Sequence, residues 1–554
     1  MQSQTLVPFS INARPDSLKD TNFDLIVIGG GVTGCGIALD AASRGLKTLL
    51  LEKEDFAAGT SSKSTKLIHG GLRYLKQFEI GLVRETGTER AIVHQLAPHL
   101  VLPEKMLLPL IEDGTYGKLA TSFGLKVYDV LAGVKGKDKR RMLNRNEALS
   151  EEPLLNDDIL KGAGFYAEYR TDDARLTIEL VKTAVRYGAQ AMNYTKVVDF
   201  VYNDAGKVEG VVCEDQHSGE EWTAKAKQVV SAAGPWVDKM RKIDESLEGK
   251  RLHLTKGVHV VVPNEKLPIK HSVYFDVPDG RMMFAIPRGK VTYIGTTDTT
   301  YEGDLNRVVA TYEDAKYLIE AVNQAFPTIE LTVDDLISNW AGLRPLIHED
   351  GKSPSELSRK DEIFTSDTGL ISIAGGKLTG YRKMAQRIVD IVLRKRDDLP
   401  YKNCFTKTIA LTPDSFKDSV EVADYIESLS DRLEEMELTD YHAWYLTTIY
   451  GKQAEQILVR YEEEDSSLDA DVRLQLAEVW FTTHYESVQS LSDFFVRRTG
   501  RLYFDIHSIA PAKDLVANTM QTYLGWDDTR LVKEQETLQI LVHDATHYYE
   551  EELV

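Results

Sequence analysis

Cysteine is scarce in this sequence, with three residues among 554. Cys35, Cys213 and Cys404 lie far apart, are odd in number and lack the close spacing of a metal-binding motif. This scarcity argues against a disulfide framework and favours a reducing, cytoplasmic environment. It also leads us to predict no metal site.

Long apolar runs and excess positive charge are missing too. No uninterrupted stretch approaches the ~20 apolar residues of a membrane span. Residues 1–22 lack the basic and apolar regions of a signal peptide. Acidic residues outnumber basic residues by 86 to 66, which argues against nucleic acid as a partner. We therefore expect a folded globular chain that does not cross a bilayer.

The negative charge is concentrated in the last quarter of the chain. Residues 401–554 carry 30 of the 86 acidic residues but only 13 of the 66 basic residues. Helix-like amphipathic patterns recur there, for example at residues 415–429 and 471–484. The pattern predicts an acidic helical domain, whose role in self-association, solubility or contact with another protein stays open.

The most informative pattern lies near the start of the chain. The apolar run Leu25–Ile28 leads into Gly29-Gly30-Gly31 and a helix-like segment containing Gly34, and a second apolar run ends at Glu52. This strand–turn–helix–strand–acid order is typical of a dinucleotide site. The first glycine suits the tight turn, the third lets the backbone approach a pyrophosphate, and Gly34 permits close helix packing. Glu52 is expected to accept from the adenosine ribose. The pattern alone leaves NAD and FAD open, but its position in a long chain favours FAD.

The remaining patterns predict a mixed α/β fold. Strand-like runs at residues 228–233 and 370–374 end at glycines, whereas residues 258–297 read as an antiparallel meander with tight turns. We predict a Rossmann-like FAD-binding domain split by an antiparallel-sheet substrate domain, followed by a C-terminal helical domain. The predicted boundaries are about 22–110, 160–240 and 345–398 for the first, 111–159 and 241–344 for the second, and 399–554 for the third.

Three blocks resemble one family, the FAD-dependent glycerol-3-phosphate dehydrogenases. They are IGGGVTGCGIALDAASRG at 28–45, TSSKSTKLIHGGLRYL at 60–75 and GGKLTGYRKMA at 375–385. The resemblance implies the fold shared with amino-acid and sarcosine oxidases, and FAD as the cofactor. It further implies oxidation of sn-glycerol 3-phosphate to dihydroxyacetone phosphate, with electrons passing to a membrane quinone.

Such a substrate is a phosphate dianion, so its pocket needs fixed positive charge. Arg73, Arg344 and Lys377 are the candidates, because each lies beside a glycine or sharp turn within a family-like block. Taken singly, each would more often be a solvated surface charge. Tyr74 is expected either to add a phenol hydrogen bond or to be a packed aromatic residue.

Oxidising a secondary alcohol also requires a proton acceptor. His259 lies in the strand-like run 258–262, and its resemblance to the family's KGxHxVV-like segment favours a base over a structural histidine. His69 is the rival, expected beside the flavin ring, where it would position the ring or share the proton transfer.

Small polar residues and glycines complete the predicted FAD site. They let a loop approach a cofactor closely, although an ordinary turn or helix-cap cluster has the same composition. Val197 would meet adenine through its backbone by analogy, and Thr379 would reach the pyrimidine edge of the ring. The full set of these residues is Thr60, Ser61, Ser62, Thr65, Val197, Gly234, Gly376 and Thr379.

A basic and apolar segment at residues 115–145 suggests a membrane contact. Its apolar stretch is followed by five basic residues between 135 and 141. This fits insertion among the headgroups of an anionic leaflet, but also a packed helix with a solvated basic loop. The resemblance favours peripheral, monotopic association with the cytoplasmic face of the cell membrane.

Several other functions fit parts of the sequence. A glycerophosphate oxidase would pass electrons to oxygen and release hydrogen peroxide, but no surplus segment stands out between residues 257 and 369. A sarcosine-oxidase-like amine oxidase would not need three phosphate-seeking cations. A non-catalytic flavin-bound scaffold or redox sensor and a homodimer through the helical domain also stay open.

Overall fold

The computed structural model describes residues 6–11, 18, 21–69, 80–112, 114, 139–348, 360–396, 398 and 400–550. The strands in these ranges form three sheets. The predicted site residues Arg73 and Tyr74 and most of the basic segment 115–145 lie outside the described residues.

The first sheet carries the glycine motif. Its six strands are parallel except at one edge, where Asp361–Thr365 runs antiparallel to its neighbour. Burial on both faces explains why these strands read as short apolar runs. In spatial order the strands are Asp361–Thr365, Ile371–Gly375, Val229–Ser231, Leu25–Ile28, Thr48–Leu51 and Gln190–Met192.

The second sheet is mainly antiparallel and contains the predicted meander. Eight strands follow one path: Thr299–Thr300, Leu252–Pro263, Val291–Gly295, Met282–Arg288, Ser272–Asp276, Leu102–Ile111, Leu160–Arg170 and Leu67–Ile68. Two more strands branch from this path, since Ser338–Ile347 pairs with Leu252–Pro263 and Arg141–Asn144 pairs with Leu160–Arg170.

The second sheet also includes two strands from segments predicted for the FAD-binding part. Leu102–Ile111 and Leu160–Arg170 were expected in the FAD-binding part, yet they pair with each other and join the meander through Ser272–Asp276. Strand pairing over such distances leaves no local signal, so sequence patterns could not assign these segments to a sheet.

A smaller sheet and several helices complete the part of the chain before residue 400. The sheet has the order Asn22–Phe23, Glu221–Ala226, Val208–Asp215 and Thr195–Tyr202. The described α-helices here are Val32–Ser43, Ile80–Leu96, Arg145–Glu151, Asp173–Arg186, Val237–Ile243, Tyr312–Ala325 and Tyr381–Arg394. The helix Tyr312–Ala325 begins at a capping box formed by the Thr311 and Asp314 side chains.

The described residues beyond 400 are mainly helical, as predicted. Their α-helices are Ser419–Glu434, Asp440–Tyr450, Ala454–Glu463, Ala470–Tyr485, Arg501–Phe504, Ile509–Leu524 and Asp528–Thr546, with a π-helical turn at Asp493–Arg498. Part of this helical core is continuous with the second sheet, since Phe494 and Phe504 share one apolar cluster with Val261 and Tyr293. Among the described helices, none combines the length and apolar character needed to cross a membrane.

Candidate active site

The glycine turn brings its flanking segments into unusually close contact. Gly29 has a φ of 108°, in the left-handed region that favours glycine. A Cβ atom added to Gly34 would lie 1.8 Å from the carbonyl oxygen of Gly29, and one on Gly29 would lie 2.5 Å from the oxygen of Ala232. The helix Val32–Ser43 can therefore start directly above the strand ends, where its N-terminus favours a phosphate.

A cavity of about 670 Å³ opens at this turn. Its volume lies within the roughly 300–1,000 Å³ range of ligand pockets. The Val32 N–H donates to the Ser61 hydroxyl at 3.0 Å, which holds Ser61 at the helix N-terminus. The predicted residues found in the lining are Gly29, Gly31, Glu52, Thr60, Ser61, Val197, Gly234, Gly376 and Lys377.

Other predicted cofactor residues do not belong to the described lining. Gly34 lies behind the turn, and Ser62 and Thr379 are buried. The Thr379 hydroxyl donates to the carbonyl of His69 at 3.3 Å. The Thr65 hydroxyl contacts a histidine instead of the cavity. Some small polar residues between positions 60 and 65 thus line the cavity while others pack behind it. The sequence does not show which residues take which position.

Glu52 meets the glycine turn from the neighbouring strand. Its carboxylate accepts from the Gly30 N–H at 2.6 Å and from the Glu54 N–H at 2.9 Å. Burial raises the pKa of Glu52 to about 7, although the two backbone hydrogen bonds oppose that shift. Glu52 belongs to the cavity lining.

His259 lies in an aromatic and glycine-lined slot of the second sheet. Its ring stacks on Trp340 with centroids 4.7 Å apart, and a Cβ on Gly295 would lie 2.1 Å from the ring. Its Nε2 is 3.1 Å from the Thr65 hydroxyl, while Nδ1 is buried with no hydrogen-bond partner among the described residues.

Electrostatics keep this histidine neutral. Burial lowers the pKa of His259 well below the ordinary value, and the positive charges of Arg344 and Lys66 lower it further. The slot therefore holds a neutral imidazole in a net positive environment that favours an anion nearby.

Arg344 projects from the strand Ser338–Ile347 toward the same region. Its guanidinium donates to the Thr296 hydroxyl at 2.8 Å and to the Thr297 carbonyl at 3.0 Å. A Cβ on Gly257 would lie 2.3 Å from the guanidinium, so only glycine leaves room for it. The next residue, Pro345, lines the cavity together with Lys377. Arg344 itself is outside the described lining, but its strand borders the cavity.

Three further lining residues were not predicted as site residues. The Lys53 ammonium lies 3.8 Å from the ring centre of Trp236 and donates to the Asn306 side chain at 2.8 Å. Lys53 follows the strand Thr48–Leu51 of the first sheet and Asn306 follows the strand Thr299–Thr300 of the second, so the contact joins loops that leave the two sheets. Trp236 follows a glycine–proline pair after a buried strand, and this pattern could have indicated a residue at the cavity. Nothing in the sequence distinguishes Asn306 in this way.

A parallel sheet with this glycine turn, bordering a second antiparallel sheet at the cavity, defines the class of FAD-dependent oxidoreductases. The FAD dependent oxidoreductase family matches residues 24–382, and the C-terminal domain of alpha-glycerophosphate oxidase matches residues 404–531. The predicted fold class and the predicted cofactor, FAD, are thereby confirmed.

Individual relatives narrow this class. The aerobic glycerol-3-phosphate dehydrogenase of Bacillus subtilis (strain 168) is 49% identical over 536 residues, 96% of each chain. The Staphylococcus aureus (strain USA300) protein of that description is 46% identical over 538 residues, again 96% of each. An X-ray structure of the Bacillus halodurans glycerol-3-phosphate dehydrogenase with FAD has a TM-score of 0.81, at 41% identity over 96% of both chains. This chain belongs to the aerobic glycerol-3-phosphate dehydrogenase family, which confirms the predicted resemblance.

Proposed function

We propose that this enzyme oxidises sn-glycerol 3-phosphate at C2 to dihydroxyacetone phosphate. Bound FAD would supply the two-electron acceptor for the hydrogen that leaves C2. The protein must then bind the phosphate, orient C2 and accept the hydroxyl proton. The observation that carries this proposal is that Arg344, on a strand that borders the cavity, lies close enough to His259 to lower its pKa, although neither side chain belongs to the described lining.

Arg344 and Lys377 would bind the phosphate, together with Arg73 and Tyr74 from the segment outside the described residues. The Thr296 and Thr297 oxygens hold the Arg344 guanidinium in a fixed orientation, which suits paired hydrogen bonds to phosphate oxygens. The Arg344 side chain is 18% exposed and pairs with Asp298 at 3.2 Å.

His259 would accept the C2 hydroxyl proton. Its neutral state leaves a ring nitrogen able to accept, and the Thr65 hydroxyl fixes the ring's orientation through Nε2. An incoming phosphate dianion would offset the charge of Arg344 and raise the pKa of His259, so substrate binding itself would strengthen the base. His69 stays the alternative.

Replacing Arg344 by alanine tests the phosphate role. We expect KM for glycerol 3-phosphate to rise roughly 10- to 100-fold, because a charge-assisted pair of hydrogen bonds is lost. Arg281→Ala is the matched control, since Arg281 is a surface residue paired with Asp279. Unchanged steady-state kinetics for Arg344→Ala would rule out phosphate binding by this residue.

The proposal also concerns the molecule that accepts the electrons from reduced FAD. We propose a membrane quinone, reached through peripheral contact of the basic segment 115–145 with the cytoplasmic membrane surface. A glycerophosphate oxidase is the second candidate, favoured by the description of the matched C-terminal domain. Reduction of a soluble quinone with little peroxide release in air would support the dehydrogenase, and peroxide equal to the substrate oxidised would support the oxidase.

A further inference from the structure

The cavity is supported from behind by a short stretch of the helical domain. Residues 486–498, which we call the brace, contact Asp55 within residues 52–61, a segment that contributes to the cavity lining, and Tyr194, directly before the lining segment 195–198. No residue of the brace belongs to the described lining itself. The brace therefore reaches these segments only through side chains that point away from the cavity.

The first anchor is Asp55, which directly follows three lining residues. Asp55 is fully buried, and Arg497 donates to its Oδ2 at 2.6 Å. Arg498 donates to both of its oxygens, at 2.7 and 2.9 Å. Consecutive residues of a regular α-helix point about 100° apart. The convergence of two neighbouring arginines on one carboxylate accompanies the π-helical turn Asp493–Arg498, an uncommon feature often found at functional sites.

The second anchor lies immediately before Thr195. The Tyr194 hydroxyl donates to Asp493 at 2.6 Å. The Asn193 amide donates to the Ser487 carbonyl at 3.0 Å and to Asp55 at 3.0 Å. Asn193 thus joins the two anchors to each other, and both lining segments are tied to one piece of the helical domain.

Strained backbone conformations occur at the same seam, by which we mean the contact between the brace and residues 52–61 and 193–194. Ala57, Tyr194 and Ser487 have φ values of 67°, 55° and 51°, in the left-handed region that residues with a Cβ rarely adopt. Such conformations persist where the surroundings over-determine them. Ala57 lies within residues 52–61, Tyr194 lies directly before residues 195–198, and Ser487 lies in the brace. Residues in this conformation therefore occur on both sides of the contact.

We infer that the brace is a positioning element for FAD, holding the two lining segments at the spacing that the cofactor requires. A preformed cavity binds more tightly, because less ordering cost remains at the moment of binding. The helical domain would then serve cofactor retention. This inference rests on the proposed placement of FAD in the cavity, but not on the roles proposed for His259 or Arg344.

The test compares two buried arginines of the helical domain. Arg497→Gln removes a link to Asp55, whereas Arg501→Gln breaks pairs with Asp471 and Glu478 inside the domain. Apoprotein titrated with FAD, followed by flavin fluorescence, should give a Kd raised at least tenfold for Arg497→Gln and within twofold of the parent for Arg501→Gln. Equal Kd changes in both variants would overturn the inference, since they would reflect general destabilisation.

A milder variant and a cavity variant keep the outcomes separate. If Arg497→Gln does not fold, Tyr194→Phe should still raise the Kd about threefold and speed amide hydrogen exchange in residues 52–61 and 195–198 of the apoprotein. If Tyr194→Phe causes neither change, the result counts against the brace. Gly31→Val should abolish FAD binding by filling the turn. Normal FAD binding by Gly31→Val would instead show that the placement of FAD is wrong. Loss of binding by Gly31→Val with unchanged binding by Arg497→Gln and Tyr194→Phe would reject the brace alone.

Discussion

Two carboxylates three residues apart, Glu52 and Asp55, show how differently the two sides of the cavity wall are built. Burial raises the pKa of Glu52 to about 7, and two backbone N–H groups and the charge of Lys53 only partly offset this rise. Burial would raise the pKa of Asp55 too, but the charges of Arg498 and Arg497 outweigh it and hold that pKa below its usual value. On the cavity side Glu52 has no paired cation among the described residues, whereas on the side facing the helical domain Asp55 pairs with Arg497 and Arg498.

The difference separates a ligand-binding surface from a structural one. If Glu52 binds the ribose as predicted, its carboxylate oxygens must stay available to the ribose hydroxyls. A buried carboxylate with no ligand to expect must be paired, since an isolated buried charge is very costly.

The largest expected effect on stability comes from removing the charge of Asp55, which faces the helical domain. Asp55→Asn should lower the free energy of unfolding of the apoprotein by roughly 3–5 kcal/mol, because the buried Arg498 and the largely buried Arg497 each lose a charged partner. Urea unfolding at pH 7 measures this. A loss below about 1 kcal/mol would mean that the two carboxylates are not different in kind.

The next effect comes from the glycine turn on the ligand side. Gly34→Ala should destabilise the protein by about 3 kcal/mol and weaken FAD binding, because the new Cβ would meet the Gly29 carbonyl. Gly81→Ala is the control, since a Cβ there meets nothing within 4 Å in the helix Ile80–Leu96. Thermal unfolding of both variants, with and without FAD, makes the comparison; equal behaviour would contradict the packing argument.

Titration of Glu52 sharpens the contrast through pH. Its folded pKa, about 7, lies above its unfolded value, so its stabilising contribution is present below about pH 4.5 and is lost as pH rises through 7. Relative to the parent apoprotein, Glu52→Gln should therefore gain up to about 3 kcal/mol between pH 4.5 and pH 8. If the stability difference between Glu52→Gln and the parent does not vary with pH, the pKa of Glu52 is not raised in the folded protein.

The smallest expected effect is the removal of one hydroxyl from the structural side. Tyr194→Phe should cost about 1 kcal/mol of unfolding free energy, because Asp493 keeps its Arg497 partner when the phenol hydrogen bond is lost. Chemical denaturation of the apoprotein is the measurement. A cost as large as that of Asp55→Asn would indicate that the hydroxyl, and not the ion pair, holds the seam together.

Local patterns predicted the parts of the site that are contiguous in sequence. The turn at Gly29–Gly31, the acid at Glu52 and the lysine at Lys377 belong to short segments whose residue types are dictated by a nearby backbone or charge. The same patterns did not predict that Thr65 would face His259, or that Lys53, Trp236 and Asn306 would meet at the cavity.

The sequence by itself determined the dinucleotide turn, the family and the cofactor, because each depends on residues within one strand–turn–helix unit or one continuous block. Only the tertiary structure decided that strands 102–111 and 160–170 join the second sheet, that His259 stacks on Trp340 against Gly295, and that Arg497 and Arg498 reach Asp55. These contacts join residues tens to hundreds of positions apart. Their energies come from burial and charge pairing between distant elements, and no local periodicity records which distant partner will be met.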